Sequence, residues 1–125
     1  MITRIEATNY RCFEQLDVDL EGFRVLVGAN GSGKTTLMDI PSLLGDMLEQ
    51  PSVGDAFLKP LQERGNRAST FTELVHQGQG NYFSFAVEAE LPDHIVRQLL
   101  DDKTEVIRRD KSRWPKYARY EVNLE

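Results

Sequence analysis

Eight consecutive residues, from Gly28 to Thr35, have the types and spacing of a loop that wraps phosphate. They read Gly-Ala-Asn-Gly-Ser-Gly-Lys-Thr and fit the pattern G-x-x-x-x-G-K-[ST] with no mismatch. The glycines leave no side chain between backbone and ligand, so successive N–H groups can converge on phosphate oxygens. The lysine supplies a positive charge to the β- and γ-phosphates, and the hydroxyl that follows can bind the Mg²⁺ that bridges them.

This loop predicts a binding site for ATP and Mg²⁺. Thr35 is the predicted metal ligand, through its hydroxyl, and Thr36 is expected to reach the α-phosphate. A chance match to the pattern is disfavoured because a strand-like run leads into the loop and a helix-like segment leaves it. The predicted nucleotide-binding residues are Asn30, Gly31, Ser32, Gly33, Lys34, Thr35 and Thr36.

A loop of this kind needs a strand before it and a helix after it. Phe23 to Val27 is a short, nearly continuous apolar run, typical of a strand buried on both faces. Apolar residues then recur at helical spacing, which predicts a helix from about Gly33 to Glu49 whose positive dipole end faces the phosphates. Pro41 lies inside this helix and is expected to kink or split it, at a cost of about 3 kcal/mol.

Alternating apolar residues predict the other strands. Two edge-like strands, Ile2 to Thr8 and Leu16 to Leu20, are expected before the buried one. Tyr82 to Leu91 has the clearest alternation in the chain, and Ala118 to Leu124 closes it with a last strand. Strands at both ends of the sequence are therefore expected to contribute to a sheet.

Short helices are expected between these strands. Residues 50–81 carry scattered proline and glycine, and within them we expect helices at Asp55 to Arg64 and Phe71 to Val75. Pro92 stands at a natural first helical position, and apolar residues at helical spacing follow it to about Asp102.

The composition is that of an ordinary globular chain. Its 125 residues predict one modest core, and the net charge of −5 argues against a protein that coats nucleic acid non-specifically. The single cysteine, Cys12, excludes an intramolecular disulfide within this sequence and fits a reducing compartment. No signal-peptide pattern and no membrane-spanning apolar run occurs, so a cytoplasmic location is expected.

Residues 5–13, Ile-Glu-Ala-Thr-Asn-Tyr-Arg-Cys-Phe, resemble a known family when taken with the strand Leu16 to Leu20 and the Gly-rich loop. They resemble the N-terminal part of ABC-type ATPases of the RecF/SMC/OLD group, which includes many predicted AAA family ATPases. The resemblance is clearest over residues 1–48. It is compatible with residues 82–125, where such heads carry an antiparallel β-lobe.

This resemblance implies an α/β fold, a partial P-loop NTPase head of the ABC-ATPase type. The Walker A strand, loop and helix would adjoin an antiparallel β-lobe and a parallel core sheet, with ATP and Mg²⁺ sandwiched between two heads. The chain would then comprise strands, P-loop and helix in 1–49, a variable insertion in 50–81 and the β-lobe in 82–125. The resemblance also implies roles in DNA repair, genome maintenance or phage defence.

Four further residues gain roles from the resemblance. Arg11 matches an arginine of an N-[FY]-[RK]-x-F segment that can approach the nucleotide phosphates, although a solvated edge-strand arginine fits equally well. Phe13 is expected to pack in the core rather than against adenine. Gln77 or Gln79 would be the glutamine that touches the metal in this family, unless both belong to a polar loop leading into the strand at Tyr82.

The residues that such ATPases use for hydrolysis are not recognisable in this sequence. A Walker B motif is an apolar strand ending in acids, and the nearest segment, Ile95 to Asp102, has helical spacing instead. No signature segment or switch histidine is found, so no catalytic residue is predicted within this chain. Hydrolysis is expected to require a C-terminal half, and the predicted partner is that half or a second ATPase head in a homodimer.

A basic segment, 103–119, offers a second functional hypothesis. It carries seven basic residues against two acids, interleaved with three aromatic residues, a composition that could contact DNA. The alternative is a solvated surface that pairs with the acidic remainder of the chain. A third hypothesis is a non-enzymatic interaction domain that holds ATP as a structural ligand.

Overall fold

The computed structural model describes residues 1–22, 28, 31, 33–61, 65–101 and 105–125. Three short 3₁₀ turns, Phe71–Glu73, His76–Gly78 and Lys111–Arg113, lie between longer elements. The helices and strands are β1 (Ile2–Tyr10), β2 (Phe13–Asp19), α1 (Lys34–Glu49), α2 (Val53–Leu58), β3 (Phe83–Glu90), α3 (Asp93–Leu99), α4 (Glu105–Arg109) and β4 (Tyr117–Leu124).

The strands form one four-stranded antiparallel sheet in the order β2-β1-β3-β4. Ile5 on β1 lies opposite Val18 of β2 on one side and Val87 of β3 on the other. The prediction that β1 is edge-like was therefore wrong, because the distant strand β3 pairs with its free side. The predicted strand at 23–27 lies outside the described residues.

The core lies between one face of this sheet and α1. In β1, alternate residues from Thr3 to Ala7 are buried, as a strand with one covered face requires. The aromatic rings of Tyr10, Phe83 and Phe85 pack together, with centroids 5.2 and 5.9 Å from the Tyr10 ring. Helix α1 contributes its buried face to the same core, namely Leu37, Ile40, Leu43 and Met47.

Helix α1 runs through Pro41 as one helix of 16 residues, so the expected split does not occur. Proline removes one N–H donor from the helical ladder, but its neighbours Ile40 and Leu43 are fully buried in the core. Burial of such a side chain contributes about 1.5–3 kcal/mol, enough for two of them to offset the cost of about 3 kcal/mol.

The shorter elements differ from prediction in their bounds and type. Helix α2 ends at Leu58, short of the predicted Arg64, and residues 62–64 lie outside the described part. The segment Phe71 to Val75 is a 3₁₀ turn followed by a β-bridge from Val75 to Tyr10, not an α-helix. Pro92 caps α3 rather than occupying its first turn, and α3 confirms that 95–99 is helical.

The other face of the sheet carries a row of ion pairs across all four strands. Arg4 on β1 binds Asp17 on β2 with two hydrogen bonds, of 2.8 and 2.6 Å. Arg119 on β4 pairs with Glu6 at 2.5 Å and Glu88 at 2.8 Å. The hydrogen bonds from Arg4 hold the pKa of the Asp17 carboxyl below its usual value. Exposed pairs of this kind stabilise a fold by about 0–1 kcal/mol each.

The buried phenol of Tyr10 predicts a loss of stability at alkaline pH. Burial raises the pKa of Tyr10, an effect only partly offset by the neighbouring Arg11 charge. The folded state therefore keeps this proton above the ordinary pKa of about 10, and its stabilising effect is lost as the pH rises through the raised value. Urea denaturation between about pH 9 and 11 should show this loss in the wild type and a flatter profile in Tyr10→Phe. An equally steep profile in the variant would contradict it.

Candidate functional site

The N-terminus of α1 forms the centre of the site. Gly33 precedes the helix with φ of +95°, a backbone conformation that side chains rarely allow, and no side chain caps the first turn. The first intrahelical bond runs from the N–H of Leu37 to the carbonyl of Gly33. Because the first-turn N–H groups of a helix have no intrahelical partner, this end attracts an anion.

The described part of the Gly-rich loop lines a cavity of about 370 Å³. Gly31 has φ of +82°, and no atom of a described residue outside its chain neighbours lies within 4 Å of the place where a β-carbon would stand. The Lys34 ammonium donates a hydrogen bond to the Gly28 carbonyl across the loop. The lining residues are Cys12, Gly31, Gly33, Lys34, Thr35 and Thr36.

This arrangement fits a phosphate group chemically. It combines open backbone, a helix N-terminus, one ammonium and two hydroxyls, and the described lining contains no carboxylate that would repel an anion. Five predicted residues, Gly31 and Gly33 to Thr36, are brought together here. Asn30 and Ser32 lie outside the described residues, and their roles stay predictions.

The turn between β1 and β2 forms one wall of this cavity, a role that the sequence did not reveal. A β-carbon added at Gly33 would lie 2.8 Å from Cε1 and Cζ of Phe13 and 3.0 Å from Sγ of Cys12. Phe13 is partly buried and packs against the core. The expected core packing of Phe13 thus coexists with a close approach to the loop.

Arg11 stands in the same turn with φ of +50°, which is unusual for a residue with a side chain. Its N–H donates to the Leu74 carbonyl at 2.7 Å, and its own carbonyl lies 2.9 Å from Nδ1 of His76. The guanidinium donates to the carbonyl of Arg67 at 2.5 Å and to the Tyr10 hydroxyl at 3.3 Å. These contacts hold the half-buried Arg11 against the 67–76 segment, and its contact with phosphate stays a prediction.

Arg67 joins the 65–70 segment to α1. Its side chain is 4% exposed and binds Asp39 at 2.8 and 3.0 Å and Asp46 at 2.5 Å. It also donates to the Ala56 carbonyl at 2.9 Å. Burial alone would lower the pKa of Arg67, but the hydrogen bonds to Asp39 and Asp46 outweigh it and the pKa is raised. Arg67 thereby links two chain segments, 65–70 and α2, to the helix that presents the cavity.

The sequence profile of a family described as an AAA ATPase domain matches residues 1–114 of the chain. The chain belongs to this family. Its match covers the Gly-rich loop, α1 and most of the remaining elements. The α/β fold is accordingly that of a partial P-loop NTPase head, of which the described strands form the antiparallel part.

Two curated proteins place this ATPase domain within the RecF/SMC/OLD group. Over 48 residues it is 42% identical to the OLD nuclease of Thermus scotoductus, a match that covers 38% of this chain and 9% of that protein. Over 88 residues it is 34% identical to the DNA replication and repair protein RecF of an Arthrobacter species, covering 69% of this chain and 21% of RecF. The predicted resemblance is confirmed, and the chain spans only a minor part of each relative.

A solved structure of an SMC ATPase, described in terms of ATP-driven dimerization and DNA-stimulated activation, is also similar. It is 23% identical, with a TM-score of 0.47, and the match covers 74% of this chain and 52% of that one. Within the described residues of the ATPase domain, no helix is long and apolar enough to span a membrane.

Gln77 lies on the surface, in the 3₁₀ turn that precedes β3. It adopts φ of +53° and ψ of +19°, and the adjacent Gly78 also has positive φ. The carbonyl of Gln79 accepts a hydrogen bond from the Asn9 side chain at 3.3 Å. Neither glutamine lines the described cavity, and the metal-contacting role predicted for them stays a prediction.

Four of the six described cations in the basic segment 103–119 pair with carboxylates, among them Arg113, which lies 3.9 Å from Asp110. Lys111 binds Asp93 at 2.9 Å, and Arg109 binds Glu105 one turn away on α4. Arg119 is held by three carboxylates on the sheet, and Trp114 donates its N–H to the Ile107 carbonyl at 3.1 Å. These contacts favour the solvated, internally paired surface over a free face for DNA.

Proposed function

We propose that this ATPase domain binds Mg·ATP in the cavity at the N-terminus of α1. The observation that supports it is the convergence of Gly31, Gly33, Lys34, Thr35 and Thr36 on one anion-attracting cavity, in the order that the loop pattern requires. Membership of the ATPase family supports the same ligand.

Each group has a distinct part in this proposal. The first-turn amides and the dipole of α1 hold phosphate oxygens. Lys34 uses one N–H for the Gly28 carbonyl and has two more to offer to phosphate, since an ammonium carries three. Thr35 presents its hydroxyl to Mg²⁺, whose charge offsets that of the phosphates when the ion is bound.

We further propose that hydrolysis needs a carboxylate from outside these 125 residues. P-loop enzymes hold the metal with a Walker B aspartate and position water with another group, and the sequence offers neither. A second ATPase head or a C-terminal half would supply them. We also propose a role in DNA repair, genome maintenance or phage defence. The similarity to RecF, a DNA replication and repair protein of which the chain covers 21%, supports a DNA-related role.

The binding proposal predicts a metal-specific defect in Thr35→Val. The substitution keeps the shape of the side chain but removes the oxygen that would bind Mg²⁺. We expect about a 10-fold loss of affinity for Mg·ATP and little change in affinity for ATP in the presence of EDTA. Isothermal titration calorimetry with and without Mg²⁺ measures both values.

Ser42→Ala is the matched control for this experiment. It removes an exposed hydroxyl from the same helix, two turns from the N-terminus, and should leave both affinities unchanged. If Thr35→Val lost the same affinity for ATP with and without Mg²⁺, Thr35 would not act through the metal. Absence of wild-type binding at millimolar Mg·ATP would overturn the proposed function itself.

A further inference from the structure

The β1–β2 turn touches the phosphate loop at the glycine that begins the helix. The ring of Phe13 and the thiol of Cys12 fill the space that a β-carbon at Gly33 would need, whereas no described residue fills the corresponding space at Gly31. The two described glycines of the loop that have positive φ therefore differ in function. Gly31 leaves the backbone open, and Gly33 allows close contact with the turn.

The turn itself is held from behind. Tyr10, which pairs with Phe13 across the turn, is buried beside the rings of Phe83 and Phe85. Arg11 is bonded through its N–H, its carbonyl and its guanidinium to Leu74, His76 and Arg67. A side-chain-bearing residue keeps a positive φ only where the surrounding structure stabilises that conformation. The groups that contact Arg11 provide this stabilisation. The turn is thus a fixed surface rather than a loose loop.

We propose that this turn supports the phosphate loop and that Phe13 is a positioning residue for nucleotide binding, acting through Gly33. This inference rests on the proposed binding of Mg·ATP. The phosphate-facing amides of a helix N-terminus are effective only when they point at the ligand before it arrives. The Phe13 ring fixes the residue from which α1 starts, and so fixes the direction of those amides.

The 65–80 segment is connected to the proposed nucleotide site through Arg67 and Arg11. Arg67 holds α1 through Asp39 and Asp46, while its carbonyl holds the Arg11 side chain. Arg11 is followed directly by the two residues that contact Gly33. Arg67 and Arg11 thereby connect the 65–80 segment to both the helix and its supporting turn.

The experiment compares Phe13→Leu with Leu16→Ala. Both residues lie on β2 and are partly buried against the same core, but only Phe13 contacts Gly33. Phe13→Leu should weaken Mg·ATP binding about 10-fold, whereas Leu16→Ala should lower the Tm with unchanged affinity. Phe13→Met, which restores a long side chain, should recover most of the affinity.

Phe13→Tyr keeps the partly buried ring and is the substitute test variant if Phe13→Leu does not fold. It adds a hydroxyl at Cζ, the atom that lies 2.8 Å from the β-carbon position of Gly33, and should also weaken binding. Wild-type affinity in folded Phe13→Leu, or in Phe13→Tyr where Phe13→Leu does not fold, would overturn the inference while leaving the proposed function intact. If instead the wild type and Lys34→Ala bind Mg·ATP equally poorly, the proposed function has failed.

Discussion

Arg67→Met is expected to lower the free energy of unfolding by about 3 kcal/mol, the largest stability effect that the contacts of this fold predict. The variant keeps much of the buried side-chain volume but removes the guanidinium from Asp39, Asp46 and the Ala56 carbonyl. Breaking a fully buried pair costs about 3–5 kcal/mol, and the partial exposure of the two aspartates, 29% and 22%, places the value at the lower end. Urea denaturation followed by circular dichroism measures the change.

Arg4→Met provides the control for this prediction. Arg4 also binds a carboxylate with two hydrogen bonds, those to Asp17, but its side chain is 41% exposed. Its loss should cost about 1 kcal/mol or less, because water replaces the lost contacts. If the two variants were equally stable, burial would not set the contribution of Arg67, and its role in fixing α1 would have to be abandoned.

The sequence predicted the elements whose signals are local. Strand β3 alternates apart from the buried Ala86, and the helix after the Gly-rich loop begins at Lys34, within one residue of the predicted start. The loop pattern placed Lys34 and Thr35 in the predicted nucleotide site, because the chemistry of phosphate binding requires fixed residue types at fixed spacing. The structure brings both residues, with Thr36, to one cavity, and their contact with nucleotide stays a prediction. Information of this kind is contained in a few neighbouring residues.

Sheet order and buried charge were not predictable in this way. The alternation of apolar residues in β1 would be the same for an edge strand and for an interior strand. Its pairing with β3, some 80 residues away, is what makes β1 an interior strand. Arg67 stands in the polar run Gly-Asn-Arg-Ala-Ser, where a charge ordinarily indicates a surface. Its burial depends on two aspartates from α1, whose approach is a property of the tertiary fold.

The contact between Phe13 and Gly33 also depends on the tertiary fold and could not be predicted from the sequence. A glycine before Lys34 is explained by the loop pattern alone, so the pattern conceals a second reason for it. That reason becomes visible only when the β1–β2 turn is placed against the helix, 20 residues later in the chain. Pro41 shows the opposite case, in which a strong local preference is overcome by the burial of its neighbours.

Lys34→Ala is expected to reduce the affinity for Mg·ATP by at least about 100-fold, the largest binding effect that the site predicts. Lys34 is the only cation among the described residues that line the cavity, so its loss removes the one positive side chain of that lining. The factor corresponds to about 2.7 kcal/mol, within the range of one or two charge-assisted hydrogen bonds. Calorimetric titration at low salt gives the widest measurable range, because salt screens exposed charges.

Lys59→Ala separates this effect from a general loss of positive charge. Lys59 is an exposed lysine after α2 that pairs with Asp55, and its removal should leave the affinity unchanged. Lys34→Ala should keep the wild-type Tm, since its hydrogen bond to the Gly28 carbonyl lies at the surface, where water can replace it. A loss of affinity with unchanged Tm would therefore assign the charge of Lys34 to the ligand. If the affinity loss were accompanied by a fall in Tm, Lys34 would instead act by stabilising the conformation of its own loop.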